Sequence, residues 1–162
     1  MDSVDRPSFS STLGASVRLI RKHRHLKTID VARSMGMSLR SYEYFEAGGG
    51  KVNLERIHRF AEVAGADPYA ILAAMALGSP AFALRCADNK LMTILMVALQ
   101  ELDDQVGDAV ADLDALLIIN SFTKAMKELA ALSAGRDGGA DEWLQQRLGR
   151  LIPPSDGSDV PD

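Results

Sequence analysis

Apolar residues recur every three to four positions along most of the chain, and glycines and prolines divide these runs into helices. The first helix is predicted over 11–25, with Leu13, Val17 and Ile20 on one face and Arg18, Arg21, Lys22 and Arg24 elsewhere. A second, 28–35, turns Val31, Ala32 and Met35 inward and stops at Gly36. Ser38 has the character of a helix cap and opens a third that runs through Phe45, with Tyr42 and Phe45 inward and Gly48-Gly49-Gly50 closing it. The fourth, 54–64, carries Leu54, Ile57, Phe60 and Ala61 at helical spacing and ends at Gly65. Asp67-Pro68, a cap followed by proline at the first helical position, opens the fifth, which ends at Leu77.

Gly78-Ser79-Pro80 marks the expected boundary. Beyond it the pattern predicts two long helices, 82–102 and 108–132, forming a hairpin at Gly107, and then a short helix holding Trp143, Leu144, Leu148 and Leu151. The fold class is therefore all-α: a five-helix domain over 10–78, a helical region over 81–152 and a disordered polar tail over 153–162. Two helices with such broad apolar faces bury little alone. They predict a partner, either the first domain or a second copy of the chain.

Composition supports this division. Hydrophobic residues are 47% of the chain and aromatics only 6%, which favours helices over strands. The net charge of −4 conceals a polarity: residues 10–60 hold ten Lys/Arg against four Asp/Glu, a net of +6, whereas 81–162 hold seven against fourteen, a net of −7. A basic head on an acidic chain suits binding to a polyanion. The single cysteine, Cys86, rules out an internal disulfide and suits a reducing cytoplasm. The opening MDSVDRPSFS has no export signature, and the nearly apolar stretch 91–99 is too short to cross a bilayer.

The most informative stretch is LKTIDVARSMGMSLRSYEYFEAGGG. Two helices crossing closely through a tight turn need a small residue at the crossing, a glycine in the turn and apolar residues that set the angle. Ala32, Gly36, Met37, Tyr42 and Phe45 meet those needs, leaving the other face of the second helix free to enter a major groove. Arg21, Ala32, Gly36, Ser38 and Glu46-Ala47-Gly48 stand in order and without a gap at the spacings of the Cro/C1-type (XRE) helix-turn-helix regulators, which include phage repressors. Residues 10–77 resemble that family. The chain departs from its pattern where Lys27 and Thr28 replace a capping residue followed by Gln, and where Asn53 replaces a proline.

The resemblance implies roles. Arg21 and Glu46 should form an intradomain ion pair that locks the recognition helix, residues 38–45. Leu39, Arg40 and Tyr44, with Ser38 and Ser41 beside them, should face the bases of double-stranded DNA, arginine suiting guanine and leucine a thymine methyl. Thr28, Lys51 and Asn53, then Arg18 and Arg56, are the expected phosphate contacts. The triple glycine predicts an unusually mobile loop.

Other residues read plainly. His23 and His25, two apart, lie on different helix faces and do not make a metal site; His58 reads as a surface residue, and Cys86 as a small buried one. The aspartates from Asp103 to Asp114 lack the pattern of a calcium loop. No nucleophile–base pair, phosphate loop or dinucleotide fingerprint is present, so neither an enzyme nor a cofactor is expected. The expected function is sequence-specific transcription regulation of phage or prophage type in the cytoplasm, at the nucleoid. The C-terminal helices would supply homo-oligomerisation, and the acidic half a surface for RNA polymerase or another regulator. The alternatives are a small-terminase-like DNA-packaging subunit and an antitoxin.

Overall fold

The computed structural model describes residues 8–133 together with 144, 145, 147 and 148, and every regular element among them is helical. In chain order these are α1 (Phe9–His23), α2 (Thr28–Ser34), α3 (Leu39–Glu46), α4 (Leu54–Ala64), α5 (Pro68–Leu77), α6 (Pro80–Arg85), α7 (Leu91–Val106), a 3-10 turn (Gly107–Asp112) and α8 (Ala115–Ala131). The chain forms two compact units that divide within α7, between Leu95 and Met96.

In the first unit α1 is the central element, packing on α3, α4, α5 and α6, while α2 packs on α3 and α4. The side chains that close the core are those of the 3.6-residue pattern: Val17, Ile20, Val31, Tyr42, Ile57, Phe60 and Ile71 are all essentially inaccessible to solvent. The helix ends carry the expected caps. Ser38 Oγ accepts from the Ser41 backbone N–H at 3.2 Å, and Gly65 and Gly78 end α4 and α5 in the left-handed conformation that a side chain would strain.

Two expectations about the first unit need correction. The boundary at Gly78-Ser79-Pro80 is not where the units part: α6 packs on α1 and α5, and Ala83 and Ala87 join the core. The predicted helix 82–102 is also broken between Arg85 and Leu91, with Lys90 at φ +56°. The break has a physical cause in Asp67. Its buried carboxylate accepts from the backbone N–H groups of Tyr69 and Ala70, which start α5, and from those of Met92 and Thr93, which start α7. The Thr93 hydroxyl donates to the same carboxylate at 2.7 Å. One side chain thus satisfies the free donors of two helix ends, and a helix running straight through 86–90 would bury those α7 donors in its own interior.

In the second unit the hairpin at Gly107 does not form. The 3-10 turn and an extended Leu113 lead to Asp114, which caps α8 by accepting from Leu116 and Leu117. Among the described residues of this unit, α8 packs extensively on no other helix, and every one of its residues is exposed. Arg147 pairs with Glu101 of α7, and Leu144 is buried. The expected helix around Trp143 lies largely, and the tail wholly, outside the described residues.

Candidate nucleic-acid interface

α2, the turn at 35–38 and α3 form one rigid corner. Ala32, at the crossing, is buried, and Gly36 turns the chain at φ +67° with open space where a side chain would project. The inner face of α3 is held by Tyr42 and Phe45, whose rings meet at a centroid distance of 6.2 Å. The outer face presents Arg40, Ser41, Glu43 and Tyr44 to solvent, with Leu39 half-buried at the first turn. Ser38 and Ser41 are also bonded to each other, the Ser38 hydroxyl donating to that of Ser41 at 2.8 Å. Part of the polar capacity of both residues is therefore spent on starting the helix.

The C-terminal end of α3 is locked to α1. Arg21 donates to both carboxylate oxygens of Glu46, Nε to Oε2 at 2.8 Å and Nη2 to Oε1 at 2.7 Å, and its third nitrogen donates to the Leu26 carbonyl at 3.0 Å. Arg18 approaches the same carboxylate at 3.5 Å. Burial alone would push the Glu46 carboxyl up. The hydrogen bonds from Arg21, the nearby Tyr42 hydroxyl and the charges of Arg21 and Arg18 outweigh it, holding the group below its ordinary value. Burial likewise pushes the Tyr42 phenol well above its usual range.

Two glycines make this lock possible. A Cβ on Gly14 of α1 would lie 2.5 Å from the Glu46 carbonyl oxygen and 2.7 Å from the Gly48 nitrogen, and one on Gly48 would lie 2.4 Å from the Ser10 carbonyl oxygen. Backbone meets backbone here with no room for a methyl group. Sequence reasoning missed Gly14, although a glycine inside a helical run is a signal of close approach. The first two glycines of the loop after α3, expected to be mobile, are hydrogen-bonded. Gly48 and Gly49 donate back to Phe45 and Tyr44 in a closed helix end, and the Tyr44 ring lies against Gly49, where a Cβ would come within 2.4 Å of it. The glycines provide a flat seat for an aromatic ring.

The cations around this corner fall into two groups. Arg18 and Arg21 are drawn to Glu46, Arg24 to Asp88, Arg33 to Asp30 and Arg59 to Glu55. Arg40, Lys51 and Arg56 are exposed and have no ion-pair partner among the described residues. Asn53 caps α4, its Oδ1 accepting from Arg56 N–H at 3.0 Å, and its amide donors remain for a ligand. Thr28 is half-buried at the start of α2, which has no side-chain cap. Of the expected phosphate contacts, Lys51 and Arg56 are therefore exposed and unpaired among the described residues, Asn53 caps α4, and Arg18 is drawn to Glu46. His58, expected at the surface, is half-buried edge-on to Tyr69 at 5.5 Å. Among the described residues no group of side chains has the makings of a metal site, and no helix is long and apolar enough to cross a membrane.

Comparison of the chain with family models, curated proteins and solved structures returned no match.

Proposed function

We propose that the chain is a sequence-specific regulator of transcription, of phage or prophage type, that lays α3 in the major groove of double-stranded DNA. The observation that carries this reading is the exposed outer face of α3, whose C-terminal end is locked to α1 by the Arg21–Glu46 pair; Lys51 in the loop that follows and Arg56 in the first turn of α4 are exposed as well. Rigid display matters because base readout requires side chains placed before contact, and a bare helix of this size fits the groove. Arg40, Ser41, Tyr44 and Leu39 would face bases. Lys51, Arg56, the Asn53 amide and Thr28 would hold phosphates, with Ser38 contributing at the first turn.

Membership of the Cro/C1-type family is part of the same proposal, supported by Arg21, Ala32, Gly36, Ser38 and Glu46 standing where that pattern needs them. Action in the cytoplasm, at the nucleoid, follows from it. So does a dimer made through the C-terminal helices that reads two half-sites roughly 10 bp apart. A DNA-packaging subunit is the second reading, favoured by the uncovered apolar surface of α8; a mass of eight or more chains would select it.

Selection from a random duplex library, followed by titration of the selected site, tests the proposal. Arg40→Ala should cost about 1–3 kcal/mol at one base pair and relax preference there. Lys51→Ala should weaken selected and random duplexes alike and reduce the salt slope by about one. Equal losses on both duplexes for Arg40→Ala would remove Arg40 from the base-reading set. No binding to any duplex at low salt would end the proposal.

A further inference from the structure

Among the described residues, the longest run of exposed apolar side chains is on α8. Leu116, Leu117 and Ile119 are exposed in its first turns. Ile118, Phe122 and Leu129, with Leu132 just past the helix end, show between 38% and 71% of their surface to solvent. Water-exposed apolar surface in such a continuous run marks an interface.

Its pattern is a seam. Ala115, Ile118, Phe122, Ala125, Leu129 and Leu132 alternate at spacings of three and four, the a/d repeat of helices that pack side by side. Asn120, Thr123, Lys124 and Lys127 lie on the opposite flank, where Lys124 pairs with Glu128 at 4.0 Å. The seam is therefore apolar and uncharged.

We infer that α8 pairs with α8 of a second copy of this chain, the two helices running antiparallel. Four observations select this occupant. First, α8 has no extensive contact with any other helix among the described residues of its own unit. Second, Arg147, in the segment that follows, is engaged with Glu101 of α7. Third, the sizes match only one way round. In an antiparallel pair Phe122 of one copy faces Ala125 of the other, Ala115 faces Leu132 and Ile118 faces Leu129, so each layer joins a large side chain to a small one or two of middle size. A parallel pair would set Phe122 on Phe122 and Ala125 on Ala125, a clash beside a void. Antiparallel helices also bring opposite dipole ends together. Fourth, Ile118, Phe122, Leu129 and Leu132, the large side chains of the seam, are all more than a third exposed and open to a facing helix.

This inference deepens the self-association part of the function proposed above and rests on none of its DNA-binding part. Sedimentation of the full chain at tens of micromolar is the test. The expected mass is twice 17.5 kDa, returning to 17.5 kDa in Phe122→Glu/Leu129→Glu with dimer dissociation raised by at least a hundredfold. Because both side chains are exposed in the single chain, the variant keeps its fold, which circular dichroism verifies. Orientation is read by oxidising a mixture of Ile118→Cys and Leu129→Cys chains, each in a Cys86→Ser background; a mixed disulfide is expected. A monomeric wild type, a ring, or a dimer that survives the double substitution overturns the pairing. Ready oxidation of Ile118→Cys to its own homodimer overturns the antiparallel arrangement. Titration of the same proteins with duplex DNA separates the two proposals: a dimer blind to DNA sinks the DNA-binding reading and leaves this one standing.

Discussion

The first unit and α8 are built from the same kinds of residue and spend them in opposite ways. In the first unit, Phe60, Ile57 and Val17 have no solvent exposure, and six short helices close over them. In α8, phenylalanine, isoleucine and leucine at the same helical spacing face water. Periodicity alone does not distinguish the two cases. It says that a helix has an apolar face, and the number of other elements able to reach that face decides whether the chain covers it. α1 is met by four helices of its unit; α8 is met extensively by none among the described residues of its own.

The sharpest way to break this comparison is to make one change in both regions. Phe60→Ala, at a site with no exposure, should cost about 3–5 kcal/mol in denaturant unfolding, because it removes burial and leaves a cavity. Phe122→Ala, measured on dilute single chains, should stay within about 0.5 kcal/mol. Comparable losses would mean that α8 is covered within its own chain.

A next, somewhat smaller effect concerns the lock beneath α3. Glu46→Gln leaves the partly buried Arg21 guanidinium without its counter-charge and should cost about 1.5–3 kcal/mol. The pH dependence follows from the direction of the shift. A carboxyl held below its unfolded value stabilises the fold fully above that value, near 4.3, and the contribution fades as pH falls through the lower folded one. Unfolding curves across the acid range should therefore steepen for the wild type below about pH 4 and flatten in Glu46→Gln. An unchanged acid slope would show that Glu46 does not carry the linkage.

How much of this was legible in the sequence depended on range. Ser38, Gly36 and Gly65 act within their own turn, and the pattern placed them. Asp67 was legible as the cap of α5, where its role is local; its hold on Met92 and Thr93 spans 25 and 26 positions and leaves no periodic trace. That is why the pattern ran a single helix through 86–90, where Leu84, Leu91 and Leu95 keep the apolar spacing unbroken. The pairing of Arg21 with Glu46 came from family resemblance, since nothing in the two side chains alone says that they meet. The base-facing and phosphate-facing roles rest on exposure and charge, which sequence suggests and geometry only makes possible.

Gly14→Ala probes the contact between α1 and the end of α3 directly. Alanine is ordinarily the better helix residue, so an open site would gain about 1 kcal/mol. Here the new methyl would press on the Glu46 carbonyl and the Gly48 nitrogen, both backbone, and the cost of overpacking should leave a net loss of about 1–3 kcal/mol. A stabilised Gly14→Ala protein would show that α1 and α3 stand farther apart than the lock requires.

The smallest expected effect on stability separates a seat from a hinge in the loop after α3. Gly49→Ala would also place a methyl within contact, but against the Tyr44 ring, which is 60% exposed and free to swing outward. The loss should therefore stay under about 1 kcal/mol, because a side chain yields where backbone cannot. The ring moves, however, and it sits on the face proposed to read DNA. Duplex discrimination should change in Gly49→Ala, and adding Tyr44→Ala should produce no further change, since both substitutions remove the ring from its seat. Additive losses in that double variant would instead make Gly49 and Tyr44 independent, and the three glycines would revert to being a flexible connection.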